Sequence, residues 1–151
     1  MAEKGLVERL LVLGIIGCPV GHSLSPLMHN EALRHWGIEG CYVPFEVKPG
    51  DIPAAVPGLM ALGVGGVNVT IPHKQAVVEY LDELDPVAKA MGAVNTIKFN
   101  GSRAMGYNTD GAGFVTSLKE DAGQEVNGKK VLLIGAGGAA RGLAVKLAME
   151  G

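Results

Sequence analysis

Residues 10–17, LLVLGIIG, form an unbroken apolar block that ends on glycine. A run this short and this uniformly apolar predicts a strand buried on both faces, as in a parallel sheet. The next segment starts at Ser25-Pro26 and predicts a helix with Ser25 as N-cap, Pro26 at the first helical position and Gly37 as its stop. CYVPFEV (41–47) and GVNVT (66–70) predict two more strands, and DIPAAVPGLMALG (51–63) predicts a short helix broken by Pro57. HKQAVVEYLDEL (73–84) and PVAKAMGA (86–93) read as helices. AVNTIKFN (93–100) and RAMGYNT (103–109), joined through Gly101-Ser102, read as a hairpin. Strands alternating with helices predict an α/β architecture, a mostly parallel sheet flanked by helices.

Asp110 to Ala122 predicts one further helix, followed by the turn-prone GQEVNGKK (123–130). In KVLLIGAGGAARGLAVKLAMEG (130–151), four apolar residues then lead straight into a glycine turn and a last helix. This reads as a separate unit. The expected boundary lies near residue 110, giving a first unit over 1–110 and a connecting helix with the start of a second unit over 111–151.

Composition removes several classes of function. Thirteen basic residues against 15 acidic ones give a formal net charge of -2, with no basic stripe, so a nucleic-acid partner is not expected. No 18-residue apolar stretch exists, and no membrane partner is expected. The two cysteines, Cys18 and Cys41, match neither a CxxC nor a zinc spacing, which fits a reducing cytoplasm. The N-terminal MAEKGLVERLLVLGIIGC imitates a lipoprotein processing site, but Glu3 and Glu8 dilute the positive region and the apolar run is short. His22, His29, His35 and His73 show no ligand spacing, so no metal is expected, and only His73 is expected near a site. A homodimer is compatible with all of this.

GAGGAA (135–140) matches G-x-G-x-x-G/A, with Gly135, Gly137 and Ala140 in the three places. In a dinucleotide site the first glycine makes the tight turn, the second admits the pyrophosphate and the third small residue lets the helix pack. The preceding VLLI and the helix that follows supply the context of a Rossmann-type βα unit. The expected nucleotide contacts are Gly135, Ala136, Gly137, Gly138 and Ala139; a turn that serves packing alone is the alternative. The acidic or basic selector that separates NAD from NADP falls about 20 residues beyond such a turn, past the end of this sequence. The sequence looks like a truncated protein.

Ser23 and Ser25 lie on the turn between the first strand and helix, where hydroxyls and free amides suit a carboxylate. A turn serine and a helix cap explain them equally well. Lys74 follows a turn at Pro72 and stands near a helix start, the end that the helix dipole disfavours for a cation. Asp110 opens a helix and could serve only as its cap.

GCPVGHSLSPLMHN (17–30), GVNVTIPHK (66–74), GAVNTI (92–97) and GYNTDGAG (106–113), in this order and followed by GAGGAAR, closely resemble the shikimate dehydrogenase family over residues 11–145. The resemblance implies reversible NADP-dependent reduction of 3-dehydroshikimate to shikimate in aromatic amino-acid biosynthesis. By resemblance, Ser23 and Ser25 bind the substrate carboxylate and Thr70, Asn95 and Asp110 contact ring hydroxyls. Lys74 contacts substrate as well and forms the catalytic pair with Asp110, while Asn68 and Thr109 brace the loops. An NAD-dependent quinate/shikimate dehydrogenase is the near alternative, and a non-catalytic binding module on the same fold the distant one. The chemistry needs a proton donor at the carbonyl oxygen, with the hydride from the cofactor. For Lys74 to act as a neutral base, burial must outweigh the carboxylate beside it; otherwise the charged lysine acts as electrophile and relay.

Overall fold

The computed structural model describes residues 10–135 and 138–151. Strand β1 (Leu11–Gly17) lies inside a six-stranded sheet, between β2 (Gly40–Glu46) and β3 (Gly66–Val69), and runs parallel to both. The hairpin β5 (Thr96–Asn100) and β6 (Arg103–Tyr107) adds antiparallel to β3, and a two-residue strand β4 (Glu83–Leu84) closes the far edge, parallel to β6. The order is β2-β1-β3-β5-β6-β4, a mixed sheet in which the three parallel pairings outnumber the two antiparallel ones.

Successive side chains of a strand point to opposite faces, and this alternation divides the molecule. Ile16, Val67, Val69, Ile97 and Phe99 face one core, covered by helix α2 (Ile52–Ala61), a short 3-10 segment (Ala76–Tyr80) and helix α3 (Pro86–Met91). Ile15 and Tyr42 face the other side, where Leu33 of helix α1 (Ser25–His35) and Val20 complete a smaller cluster. Helix α4 (Asp110–Ala122) follows β6, and helix α5 (Gly138–Glu150) packs against α4 and α3.

Four local expectations are corrected. The N-cap position of α1 is Leu24 and not Ser25; the Ser23 hydroxyl accepts the Ser25 amide at 3.2 Å, a serine turn that frees the Ser25 side chain from capping. Helix α2 runs unbroken through Pro57, because Pro57 lies on the solvent face while Ile52, Val56 and Leu59 anchor the buried one. The missing bond to the Pro53 carbonyl leaves a group that water can reach. Residues 73–84 form the short 3-10 turn and β4 instead of a long helix. There the Asp82 amide donates to the Ala104 carbonyl at 2.9 Å and the Asp82 carboxylate accepts the Ala104 amide at 2.7 Å, so pairing with β6 overrides helical propensity.

The fourth correction concerns Val131–Ile134, which is not a strand. Among the described residues no strand lies beside it, and an unpaired segment has no ladder to hold it extended. Leu132 and Ile134 are 84% and 93% exposed.

Candidate active site

Strands β1, β3 and β6 end on the same edge of the sheet, because β6 is antiparallel to β5 and β5 to β3. The segments that follow them carry Ser23 and Ser25, then Thr70 and Lys74, then Asn108, Thr109 and Asp110. Ligand sites in open α/β sheets gather at these carboxyl ends. The first two loops are stitched together by the Cys18 amide, which donates to the Ile71 carbonyl at 3.1 Å. Gly17 permits the approach: a Cβ there would lie 2.5 Å from Thr70 Cγ2.

Lys74 Nζ donates to Asp110 Oδ2 at 2.6 Å. The two side chains are 34% and 42% exposed, so the pair lies at the surface of the site, within reach of a ligand. The lysine is fixed from below by His73, which is fully buried with Nε2 2.6 Å from the Val47 carbonyl, and by its own carbonyl, which accepts the Val94 amide at 2.7 Å. His73 is thus an anchor of the loop.

Asp110 occupies the first turn of α4 and does not cap it; Thr109 holds the cap position. The Asp110 amide donates to Asn108 Oδ1 at 3.1 Å, and Asn108 is itself held by the Ala93 carbonyl. The second carboxylate oxygen accepts from Asn95 Nδ2 at 2.8 Å. Asn95 in turn accepts the Thr109 amide at 3.0 Å, which fixes which end of its side chain faces Asp110. Lys74, Asn95, Thr109 and Asp110 therefore form one connected group. Among the described residues, Thr70 is not hydrogen-bonded to this group; its backbone donates to the Ile16 carbonyl and accepts the His73 amide, both at 2.9 Å. Beside Lys74 and Asp110 lies a cavity of about 380 Å³, lined also by Gln75, Met91 and Asn108.

The family model for the shikimate dehydrogenase substrate binding domain matches residues 15–97, more than half of the chain. The chain belongs to the shikimate dehydrogenase family. Shikimate dehydrogenase (NADP(+)) of Geobacter metallireducens is 56% identical over 146 residues, which is 97% of this chain and 51% of that protein. Among solved structures, shikimate 5-dehydrogenase of Listeria monocytogenes in complex with shikimate and NAD superposes with a TM-score of 0.91 at 38% identity, covering 100% of this chain and 52% of that one. That of Thermus thermophilus in complex with NADP(H) and shikimate gives 0.87 at 39% identity, covering 94% and 53%. The chain spans about half the length of the curated shikimate dehydrogenases it matches.

Tyr42 and Thr96, to which the sequence motifs assign no role, also bear on the site. Tyr42 is 3% exposed, and its hydroxyl donates to Asn68 Oδ1 at 2.7 Å; Asn68 donates to Thr96 Oγ1 at 3.1 Å. Burial pushes the Tyr42 phenol up to about 12, against a smaller opposite pull from a hydrogen bond with Ser25. The available signal was the alternation in GVNVT, which turns Asn68 away from the core that receives Val67 and Val69. Of the expected nucleotide contacts, Gly135 adopts φ 117°, a conformation that favours glycine, while Ala136 and Gly137 lie outside the described residues. Gly138 and Ala139 open α5, whose first turn carries no acidic residue.

Proposed function

We propose that this chain is the substrate-binding half of an NADP-dependent dehydrogenase that interconverts 3-dehydroshikimate and shikimate. One observation carries the proposal: an ammonium and a carboxylate meet at 2.6 Å on the sheet edge that also carries the serine turn, Thr70 and Asn95. Ser23 and Ser25 take the substrate carboxylate, and Thr70, Asn95 and Asp110 take the ring hydroxyls. Lys74 gives a proton to the carbonyl oxygen during reduction and receives it back during oxidation, with Asp110 holding the ammonium in place.

The residues present fit a dinucleotide. A glycine at φ 117° shortly before a helix free of acidic residues in its first turn leaves the free amides of the helix start without a competing anion. Gly135, Gly138 and Ala139, with Ala136 and Gly137, would hold the pyrophosphate of NADP, or of NAD, and the bound nicotinamide would supply the hydride. On this reading residues 1–110 form the shikimate-binding unit and 111–151 the connecting helix and the start of the nucleotide unit. The near-neutral charge supports a small-molecule partner rather than nucleic acid, and two unpaired cysteines support the cytoplasm.

The dehydrogenase built on this chain should oxidise shikimate with NADP+, and Lys74→Ala should lower kcat by about a hundredfold or more. Preference for quinate with NAD+ would move the assignment to the quinate/shikimate branch. Shikimate binding with no turnover would mark a non-catalytic module, and near-normal turnover in Lys74→Ala would remove the lysine from the chemistry.

A further inference from the structure

The geometry points to Tyr42 as a positioning residue that sets Asn68 and Asn95 and, through them, the orientation of Asp110. The inference deepens the dehydrogenase reading and rests on it for the meaning of Asp110. The bonds, however, are properties of the chain itself.

The directions of the hydrogen bonds can be assigned from an unambiguous end. A backbone N–H can only donate, so the Thr109 amide makes Asn95 Oδ1 an acceptor and turns Asn95 Nδ2 toward Asp110. Thr96 Oγ1 lies 3.0 Å from the same Asn95 Oδ1, and its single proton is committed there. It can then only accept from Asn68, whose Nδ2 lies 3.1 Å away and is held the same way round by the Asn95 carbonyl at 3.4 Å. Asn68 Oδ1 is left needing a donor, and the Tyr42 hydroxyl supplies it. The result is a chain polarised in one sense from Tyr42 through Asn68, Thr96 and Asn95 to Asp110, whose other oxygen accepts from Lys74.

The fold sets each member of this chain in place. Asn68 and Thr96 are directly opposed across the β3–β5 ladder, on the face turned away from the larger core. Tyr42 stands on β2 with its ring stacked on His29 at 4.3 Å, while Asn30 bonds both its backbone amide and its carbonyl at 2.8 Å. His29 and Asn30 sit on α1, the helix that begins at Ser25. Helix α1 therefore holds the backbone of Tyr42 through Asn30 and its ring through His29, while the hydroxyl is bonded toward the other end of the site. A ring that only filled space would not need the bond from its hydroxyl to Asn68.

The test uses the 151-residue chain. Tyr42→Phe keeps the ring and removes the hydroxyl, Thr96→Val severs the chain one step further on, and Tyr80→Phe is the control. In the ligand-free protein, Tyr42→Phe should shift the Asn95 side-chain NH₂ resonances as well as those of Asn68, whereas Tyr80→Phe should leave both in place. Shikimate affinity should fall by about three- to tenfold in either chain-breaking variant, and by no further factor when the two are combined. Unmoved Asn95 resonances in Tyr42→Phe, or losses of affinity that multiply in the double variant, would overturn the inference. Should Tyr42→Phe not fold, 3-fluorotyrosine at position 42 decides: it keeps the ring and makes the hydroxyl a stronger donor, so the Asn95 side-chain amide should shift, and an unmoved Asn95 amide would overturn the inference. If the unmodified chain binds no shikimate, the dehydrogenase reading fails, yet the amide shifts still decide whether Tyr42 governs Asn95.

Discussion

Gly17 and Thr70 meet where β1 and β3 leave the sheet, so closely that a Cβ on Gly17 would stand 2.5 Å from Thr70 Cγ2. Gly17→Ala must push the loop that carries Thr70 and Lys74. It should cost about 1–3 kcal/mol by urea denaturation, the usual penalty for overpacking. Shikimate affinity should drop at the same time, and calorimetric titration reads that loss. A stable variant with undiminished affinity would show that the two loops are not coupled at this contact.

Asp110→Asn separates function from stability. The Lys74–Asp110 pair is 34% and 42% exposed, so its contribution to folding is expected to be within about 1 kcal/mol. Affinity for shikimate should fall by roughly tenfold, because a charge-assisted acceptor and the anchor of Lys74 are lost together. Denaturation and titration of the same sample compare the two losses directly.

Burial of Tyr42 gives stability a definite alkaline limb. Its phenol is pushed up to about 12, above the unfolded value of about 10, so the folded protein keeps a proton that the unfolded chain releases. The contribution is complete below about pH 10 and is lost as pH rises toward 12, a fall on the order of 2 kcal/mol. Urea midpoints measured from about pH 9 to about pH 11.5 should decline more steeply in the unmodified chain than in Tyr42→Phe.

Pro57 sits on the exposed face of α2 and removes one helical hydrogen bond. Pro57→Ala restores the bond to Pro53 but loosens the unfolded chain, and the net gain should be about 1 kcal/mol. Thermal denaturation at neutral pH measures it; a loss would mean that the proline had been holding the helix entry in place.

Val131, Leu132 and Ile134 expose apolar surface outside any sheet. Leu132→Lys with Ile134→Lys should reduce concentration-dependent association in sedimentation, and amides over 131–134 should exchange rapidly in the monomer. Protected amides there would show that the segment pairs after all.

The fold was largely legible because its strands are short apolar blocks bounded by glycine and its hairpin turns on Gly101-Ser102. The length of α2 was not, since a proline on a solvent face is penalised less than one whose freed carbonyl is buried. Residues 73–84 misled because the capture of Asp82 by Ala104 is a contact between segments 22 residues apart, which no local pattern encodes. In the site, Lys74 and Asp110 stood out by motif and were paired by resemblance, and the third dimension adds their 2.6 Å contact and the link through Asn95. Tyr42 was hidden for a plainer reason: in GCYVPFE it reads as one more strand residue, and only the register that sets Asn68 opposite Thr96 gives its hydroxyl a purpose.

Shikimate is expected to bind on the sheet edge that carries the serine turn, the Thr70–Lys74 loop and the start of α4. Titration of the 151-residue chain with shikimate, followed by amide NMR shifts, tests it most directly, with Ser23→Ala as the control. Saturable shifts are expected at residues 20–26, 70–74, 95 and 110, and Ser23→Ala should abolish them. A folded sample that shows no shifts at these positions, or shows them only elsewhere, would contradict it.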